Sequence, residues 1–251
     1  MSSKLNLSGL EYLLEDAIAR LPLKSQTDFK ALYNTYMRYG HPLEITMTNG
    51  FPIPNLYDSS DKGTTYAAIY KVGSRINHRS VSLSHQDGTD IPLSCIPNVH
   101  YNFNPKSFSV QFFALRDIKT GEQLFHSYCR ANKSLEERKA KLALHGFECE
   151  CRVCANATPE SDQLRKNFET QITNFKTLAL KQPLDVKQDI LEQALKLEKD
   201  MVKEELDVTL DFGSLLIFIG WVYAKLGNMG ECKRYRLLGS EIQNCYLKYQ
   251  E

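Results

Sequence analysis

Three cysteines lie within six residues near position 150 of this 251-residue chain, at Cys149, Cys151 and Cys154. Cysteines this close together cannot easily pair with one another, but their thiolates can share a metal ion. Zinc prefers four tetrahedral ligands, so three cysteines leave one position to be filled from elsewhere, and Cys95 is the natural candidate. No HxE or HExxH pattern supplies the base of a catalytic zinc site, which favours a structural ion.

Other short segments carry polar residues that could act together with this cluster. Residues 74–78 read Ser-Arg-Ile-Asn-His, and residues 94–98 read Ser-Cys-Ile-Pro-Asn. They are followed by Gly-Glu-Gln-Leu at 121–124, by Ser127-Tyr128, and by Phe-Glu-Cys-Glu-Cys-Arg-Val-Cys at 147–154. In order and spacing these segments resemble the SET-domain protein lysine methyltransferases, in particular the SET and MYND-domain subclass and related fungal SET proteins.

The resemblance covers about residues 46–154 and implies a role for each motif. It implies that Asn77 and His78 contact S-adenosylmethionine and that Phe147 lies against its adenine ring. Tyr128 is expected beside the path of methyl transfer, and the protein substrate offers a lysine side chain, with histones as one candidate. The zinc ligands that the resemblance implies are Cys95, Cys149, Cys151 and Cys154.

The chemistry of such a site is coherent without an acid–base dyad. A lysine amine has a reference pKa of about 10.4, and its ammonium form has no lone pair with which to attack. A narrow apolar channel disfavours the charge and lowers that pKa. The sulfonium methyl group is already activated, so the protein mainly supplies alignment and a dry environment.

Two departures from the family pattern predict an impaired activity. Residues 79–93, fifteen in number, separate His78 from Ser94 and split a motif that is continuous in the family. They are either a retained in-frame intron of the gene model or a genuine surface loop. The family's initial GxG strand has no counterpart before Ser74, so we expect a truncated gene model or a degenerate relative.

The predicted fold class is α+β: a partial SET β-fold with a helical insert and a post-SET zinc site, followed by an all-α C-terminal region. Periodicity and capping patterns predict helices over residues 8–21 and 28–39, from Ser134 to Gly146, and through most of 163–251, including a buried one at 215–226. Strands are predicted at 66–72, 99–103, 109–115 and 123–128, the second and third joined by a turn near Asn104-Pro105. The expected domains are 1–40, a helical segment like the SET insert; 41–154, the C-terminal part of the SET domain with the zinc motif; 155–162, a linker; and 163–251, a helical region in which tetratricopeptide-like hairpins are one option.

Composition narrows the classes of function. The chain has a net charge of +1 and a pI near 7.6, which gives no electrostatic reason to expect direct nucleic-acid or membrane binding. Neither a signal peptide nor a membrane span is visible, so the expected location is intracellular, in the nucleus, the cytoplasm or both. The leading hypothesis is a lysine methyltransferase, and the alternative is a non-catalytic, zinc-stabilised protein-interaction module derived from a SET protein. A small zinc-binding nucleic-acid protein is the weakest of the three readings.

Overall fold

The computed structural model describes residues 7–32, 41–53, 66–76, 95–144, 148–181 and 186–247. Its contacts divide the chain into two compact units, the first formed by residues 1–77, 103–110 and 144–146 and the second by the remainder. Helices and two-stranded sheets are both present, which confirms the α+β class. The predicted domain boundaries at 40, 154 and 162 stay a prediction.

The described residues of the first unit form three α-helices and a short sheet: α1 (Leu7–Ala19), α2 (Leu23–Lys30), α3 (His41–Asn49), β1 (Phe51–Ile53) and β2 (Tyr66–Ala68). Helices α1 and α2 pack on α3. Strands β1 and β2 pair antiparallel, with Phe51 opposite Ala68. Helix α1 confirms the first predicted helix.

Two predictions in this unit were wrong in their bounds, and one helix was not predicted. The second helix begins at Leu23, directly after Pro22, whose extended backbone conformation places it just outside the helix, and ends at Lys30. Residues 33–39 of the predicted range lie outside the described residues. Helix α3 was not predicted, and within it Thr46 and Thr48 each donate a side-chain hydrogen bond to the carbonyl four residues earlier. The strand predicted at 66–72 ends at Ala68, because Ser74 closes a turn by accepting a hydrogen bond from the Tyr70 amide at 3.0 Å.

A second sheet consists of β3 (Val99–Asn104) and β4 (Ser109–Ala114), close to their predicted bounds. The Asn104 side chain accepts hydrogen bonds from the amides of Lys106 and Ser107, which forms the predicted turn. The strand predicted at 123–128 reduces to a single bridge at Phe125. The fully buried Asn98 explains this, because its side chain accepts from the Phe125 amide at 2.7 Å and donates to the Gln123 carbonyl at 2.8 Å. This side chain, together with the backbone amides of Asn98 and Val99 that donate to the Phe125 carbonyl, takes the place of a longer strand pairing.

The second unit continues with helices α4 (Leu135–Ala143), α5 (Arg152–Ala155), α6 (Pro159–Lys181), α7 (Gln188–Lys203), α8 (Leu210–Lys225) and α9 (Met229–Leu247). The predicted capping box of α4 is confirmed: the Glu137 carboxylate accepts from the Ser134 amide at 3.0 Å, and the Ser134 hydroxyl accepts from the Glu137 amide at 3.4 Å. The predicted end of this helix, Gly146, lies outside the described residues.

Helix α6 overlaps the segment that was expected to be a linker. It begins at Pro159, since proline suits the first turn of a helix and the Thr158 hydroxyl caps the Ser161 amide at 3.2 Å. Asp162, inside the expected linker, accepts a hydrogen bond from the amide of Leu135 at 2.8 Å. The Asp162 side chain therefore links the start of α6 to the first turn of α4 by a hydrogen bond.

Helices α6 to α9 enclose an apolar core, as the periodicity of their sequences predicts. Leu191, Ala194 and Leu197 form the buried stripe of α7, and α8 is buried over most of its length. Helices α8 and α9 run antiparallel and touch through backbone, because a Cβ on Gly239 would lie 2.7 Å from the carbonyl oxygen of Gly213. Among the described residues, no helix has both the length and the apolarity needed to cross a membrane.

His100 on β3 packs against Tyr246 of α9, with ring centroids 4.2 Å apart, and burial lowers its pKa to about 4. Between pH 6.5 and 4 the unfolded chain therefore binds a proton that the folded chain excludes, so stability should fall as the pH falls through this window. We expect the free energy of unfolding of the wild type, relative to His100→Gln, to drop by about 1–2 kcal/mol between pH 7 and pH 5.

Urea unfolding of both proteins at the two pH values measures this difference. The comparison between proteins removes the contribution of carboxylates and cysteines, which titrate alike in both. A difference that stays constant with pH would mean that His100 is protonated in the folded chain as readily as in the unfolded one.

Candidate functional site

The structure brings four cysteines of the second unit together. The Cys95 Sγ lies 3.6 Å from that of Cys149, 3.5 Å from that of Cys151 and 3.3 Å from that of Cys154. All four sulfurs lie within 4.8 Å of one another, and each residue is at most 6% exposed. We call these four residues the cysteine cluster.

Short local elements place each sulfur. Cys151 precedes α5, whose single turn brings Cys154 back beside it through a hydrogen bond from the Cys154 amide to the Cys151 carbonyl at 2.9 Å. Cys95 lies just before Asn98, the residue that fixes the entry to β3. Its amide donates to the Cys151 Sγ at 3.1 Å, so the two distant segments are joined by backbone as well as by sulfur.

Hydrogen bonds among the thiols lower the pKa values of some of these cysteines and raise those of others. Hydrogen bonds with the neighbouring thiols, that with Cys149 the largest, lower the pKa of Cys151 to about 7 and also lower the pKa of Cys154. The pKa values of Cys95 and Cys149 are raised, chiefly by their hydrogen bonds to Cys129 and Cys151 respectively. A dication would replace these shared protons, since metals bind the thiolate form.

The geometry fits a tetrahedral zinc site. Four sulfurs at about 2.3 Å from one zinc ion would lie about 3.8 Å apart, close to the observed separations. All four side chains are buried, and four cysteine ligands fill a tetrahedral ion, as is typical of a structural rather than a catalytic site. The four cysteines could therefore bind zinc.

Two residues near the cluster were not found from the sequence. Cys129 packs against the cluster, and its pKa is lowered by a hydrogen bond from Cys95. Arg138 of α4 is completely buried, with its Nη2 3.8 Å from the Cys154 Sγ. Its position on the buried face of α4, in register with Leu142, was the available signal.

Tyr128 lies half-buried beside the cluster. Its ring lies near that of His126, with centroids 4.8 Å apart, and Tyr128 packs against the buried group that the four cysteines form with Leu142 and Val153. A cavity of about 400 Å³ opens next to it. The residues that line this cavity are Ser127, Tyr128, Cys129, Arg130, Lys133, Glu137, Arg138 and Lys141.

The other predicted site residues cannot be placed. Asn77, His78 and Phe147, expected to contact S-adenosylmethionine, lie outside the described residues, as does the insert at 79–93. Their assignment stays a prediction.

Comparisons with known proteins agree with the resemblance in the motifs. The model of the SET domain matches residues 25–129, a range that includes Cys95 and Tyr128 but ends before the other three cluster cysteines. The chain is 29% identical over 143 residues to histone-lysine N-methyltransferase set5 of Schizosaccharomyces pombe, which covers 57% of this chain and 38% of the relative. It is 35% identical over 80 residues to SET5 of Yarrowia lipolytica, covering 30% of this chain and 18% of the relative.

A viral relative is similar over a comparable length. A putative SET domain-containing protein of Acanthamoeba polyphaga mimivirus is 29% identical over 133 residues, 52% of this chain and 51% of the relative. The chain thus spans about half or less of the length of these relatives. The domain match and the relatives identify it as a SET-domain protein related to the fungal SET5 histone-lysine N-methyltransferases.

Proposed function

We propose that this chain is a SET-type protein lysine methyltransferase that uses S-adenosylmethionine and contains a structural zinc ion in the cysteine cluster. The proposed substrate is a lysine side chain of a protein, with histones as the leading class because two relatives are named for histone lysines. The proposed location is therefore the nucleus, the cytoplasm or both.

One observation carries the proposal. Cys95 lies inside the residues matched by the SET domain, and its sulfur converges on three cysteines located beyond them. This convergence ties the 127–128 segment to the cluster, because the Ser127 hydroxyl also contacts the Cys95 carbonyl at 3.4 Å. A zinc ion there would hold Tyr128 in place, since Tyr128 packs against the cluster.

The proposed chemistry needs alignment more than acid–base catalysis. When bound, S-adenosylmethionine supplies an activated methyl group. The Tyr128 hydroxyl oxygen is proposed to accept a hydrogen bond from an N–H of the substrate amine, which leaves the amine lone pair free and aims it at the methyl group. The cavity beside Tyr128 carries basic side chains, Arg130, Lys133 and Lys141, together with the carboxylate of Glu137.

Titration calorimetry with S-adenosylmethionine tests the proposal on the zinc-loaded full chain. We expect one binding site with a Kd on the order of micromolar, and transfer of labelled methyl groups to histone octamers. S-adenosylhomocysteine should compete for the same site.

The alternative, a zinc-stabilised interaction module, predicts a different result. A folded chain with one zinc per molecule and no heat of cofactor binding would overturn the methyltransferase proposal and support the module. Binding without transfer to histones would keep the cofactor site but exclude histones as substrate.

A further inference from the structure

Two arginines of the second unit are buried almost completely, but they differ in their partners. Arg165 donates to the carbonyls of Ala131 and Glu204 and pairs with the Glu204 carboxylate at 3.0 Å. Arg138 is 0% exposed, and none of the ion pairs among the described residues includes it. A buried guanidinium without a counter-charge is strongly unfavourable, so Arg138 requires a partner of another kind.

The contacts of Arg138 identify that partner as sulfur. Its Nη1 donates to the Lys133 carbonyl at 2.5 Å, whereas its Nη2 points to the Cys154 Sγ at 3.8 Å. Its Nε is buried and has no acceptor among the described residues. The carbonyl accounts for one hydrogen bond but not for the charge.

Charge counting shows why the cysteine cluster needs a cation. Four thiolates around one zinc ion carry a net charge of −2, and all four cysteines are buried. A buried dianion has a large desolvation cost that a nearby fixed cation offsets. Arginine suits this position because its guanidinium stays protonated at any ordinary pH.

We propose that Arg138 is the counter-cation of the four-thiolate zinc site, a positioning residue that stabilises the metal-loaded cluster and slows release of zinc. This inference rests on the proposed zinc site. The competing explanation is purely structural: Arg138 would serve only as a donor to the Lys133 carbonyl at the start of α4.

The test compares four variants of the zinc-loaded full chain. Arg138→Gln keeps a donor for the Lys133 carbonyl but removes the charge, and Arg138→Met removes both. Arg138→Lys keeps the charge, and Lys139→Met removes an exposed charge from the neighbouring position of the same helix. Zinc release is followed with an excess of a chromogenic chelator.

We expect zinc affinity to fall by about 10–100-fold in Arg138→Gln and Arg138→Met, with faster release, as for other residues that support metal ligands. Arg138→Lys should stay close to the wild type, and Lys139→Met should equal it. Replacing zinc by Co²⁺ gives a second readout, because loss of the cation should shift the thiolate-to-metal absorption band.

The outcomes separate this inference from the zinc proposal. Wild-type chain without zinc would overturn both. If the wild type binds zinc and Arg138→Gln releases it at the wild-type rate, only the proposed role of Arg138 is overturned. If the neutral variants do not fold, Arg138→Lys decides: a folded lysine variant that loses zinc as fast as chelator can take it would contradict a role for the charge.

Discussion

Cys151→Ser is expected to remove zinc and to unfold most of the second unit. Apparent binding free energies of structural zinc are roughly 10–16 kcal/mol, as large as the whole stability of a typical domain, roughly 5–15 kcal/mol. Cys151 is 1% exposed, and its sulfur also accepts the hydrogen bond from the Cys95 amide. Serine would therefore remove a ligand and weaken the link between the two segments.

Metal analysis and circular dichroism measure the result. We expect about one zinc per wild-type chain and less than a tenth of that in Cys151→Ser. The variant should also lose cooperative thermal unfolding. Cys245→Ser is the matched control, because Cys245 lies outside the cluster and serine can keep its hydrogen bond to the Glu241 carbonyl. A variant that keeps both its zinc and its cooperative unfolding would exclude Cys151 as a ligand.

Tyr128→Phe is expected to lower kcat by about 100-fold while leaving the Kd for S-adenosylmethionine nearly unchanged. The substitution removes only the hydroxyl, and with it the proposed hydrogen bond that aims the substrate amine. The ring still fills its place beside the cluster, so zinc content should not change.

Single-turnover methylation, calorimetry and metal analysis together check this prediction. Tyr223→Phe provides the control, since Tyr223 lies on α8 and stacks on Tyr235 away from the cluster residues. Turnover by Tyr128→Phe at the wild-type rate would exclude the proposed role, and a loss of zinc would indicate that Tyr128 acts through the fold.

The cysteine cluster could be predicted from the sequence because its chemistry depends on residue type and short spacing. Helices α7 and α8 could be predicted equally well, because a continuous apolar stripe at helical spacing is buried most easily as one face of a helix. Helix α3 was missed because Pro42, Thr46 and Thr48 have weak helix propensity, which local side-chain hydrogen bonds and packing override.

Other features depended on contacts between residues far apart in the chain. No local pattern at 123–128 could show that the Asn98 side chain would replace a strand partner there. An arginine on an amphipathic helix normally indicates a solvated face, so the register of Arg138 with Leu142 was not enough to predict its burial beside Cys154.

The contact of Gly213 with Gly239 limits how the polypeptide can be shortened for crystallisation or binding assays. A fragment ending after α8 would uncover a trough lined by Gly213, Ile217 and Gly220, which α9 now covers. Newly uncovered apolar surface of this kind promotes aggregation. Useful fragments should therefore retain the chain through residue 247, so that the final helix stays on its neighbour.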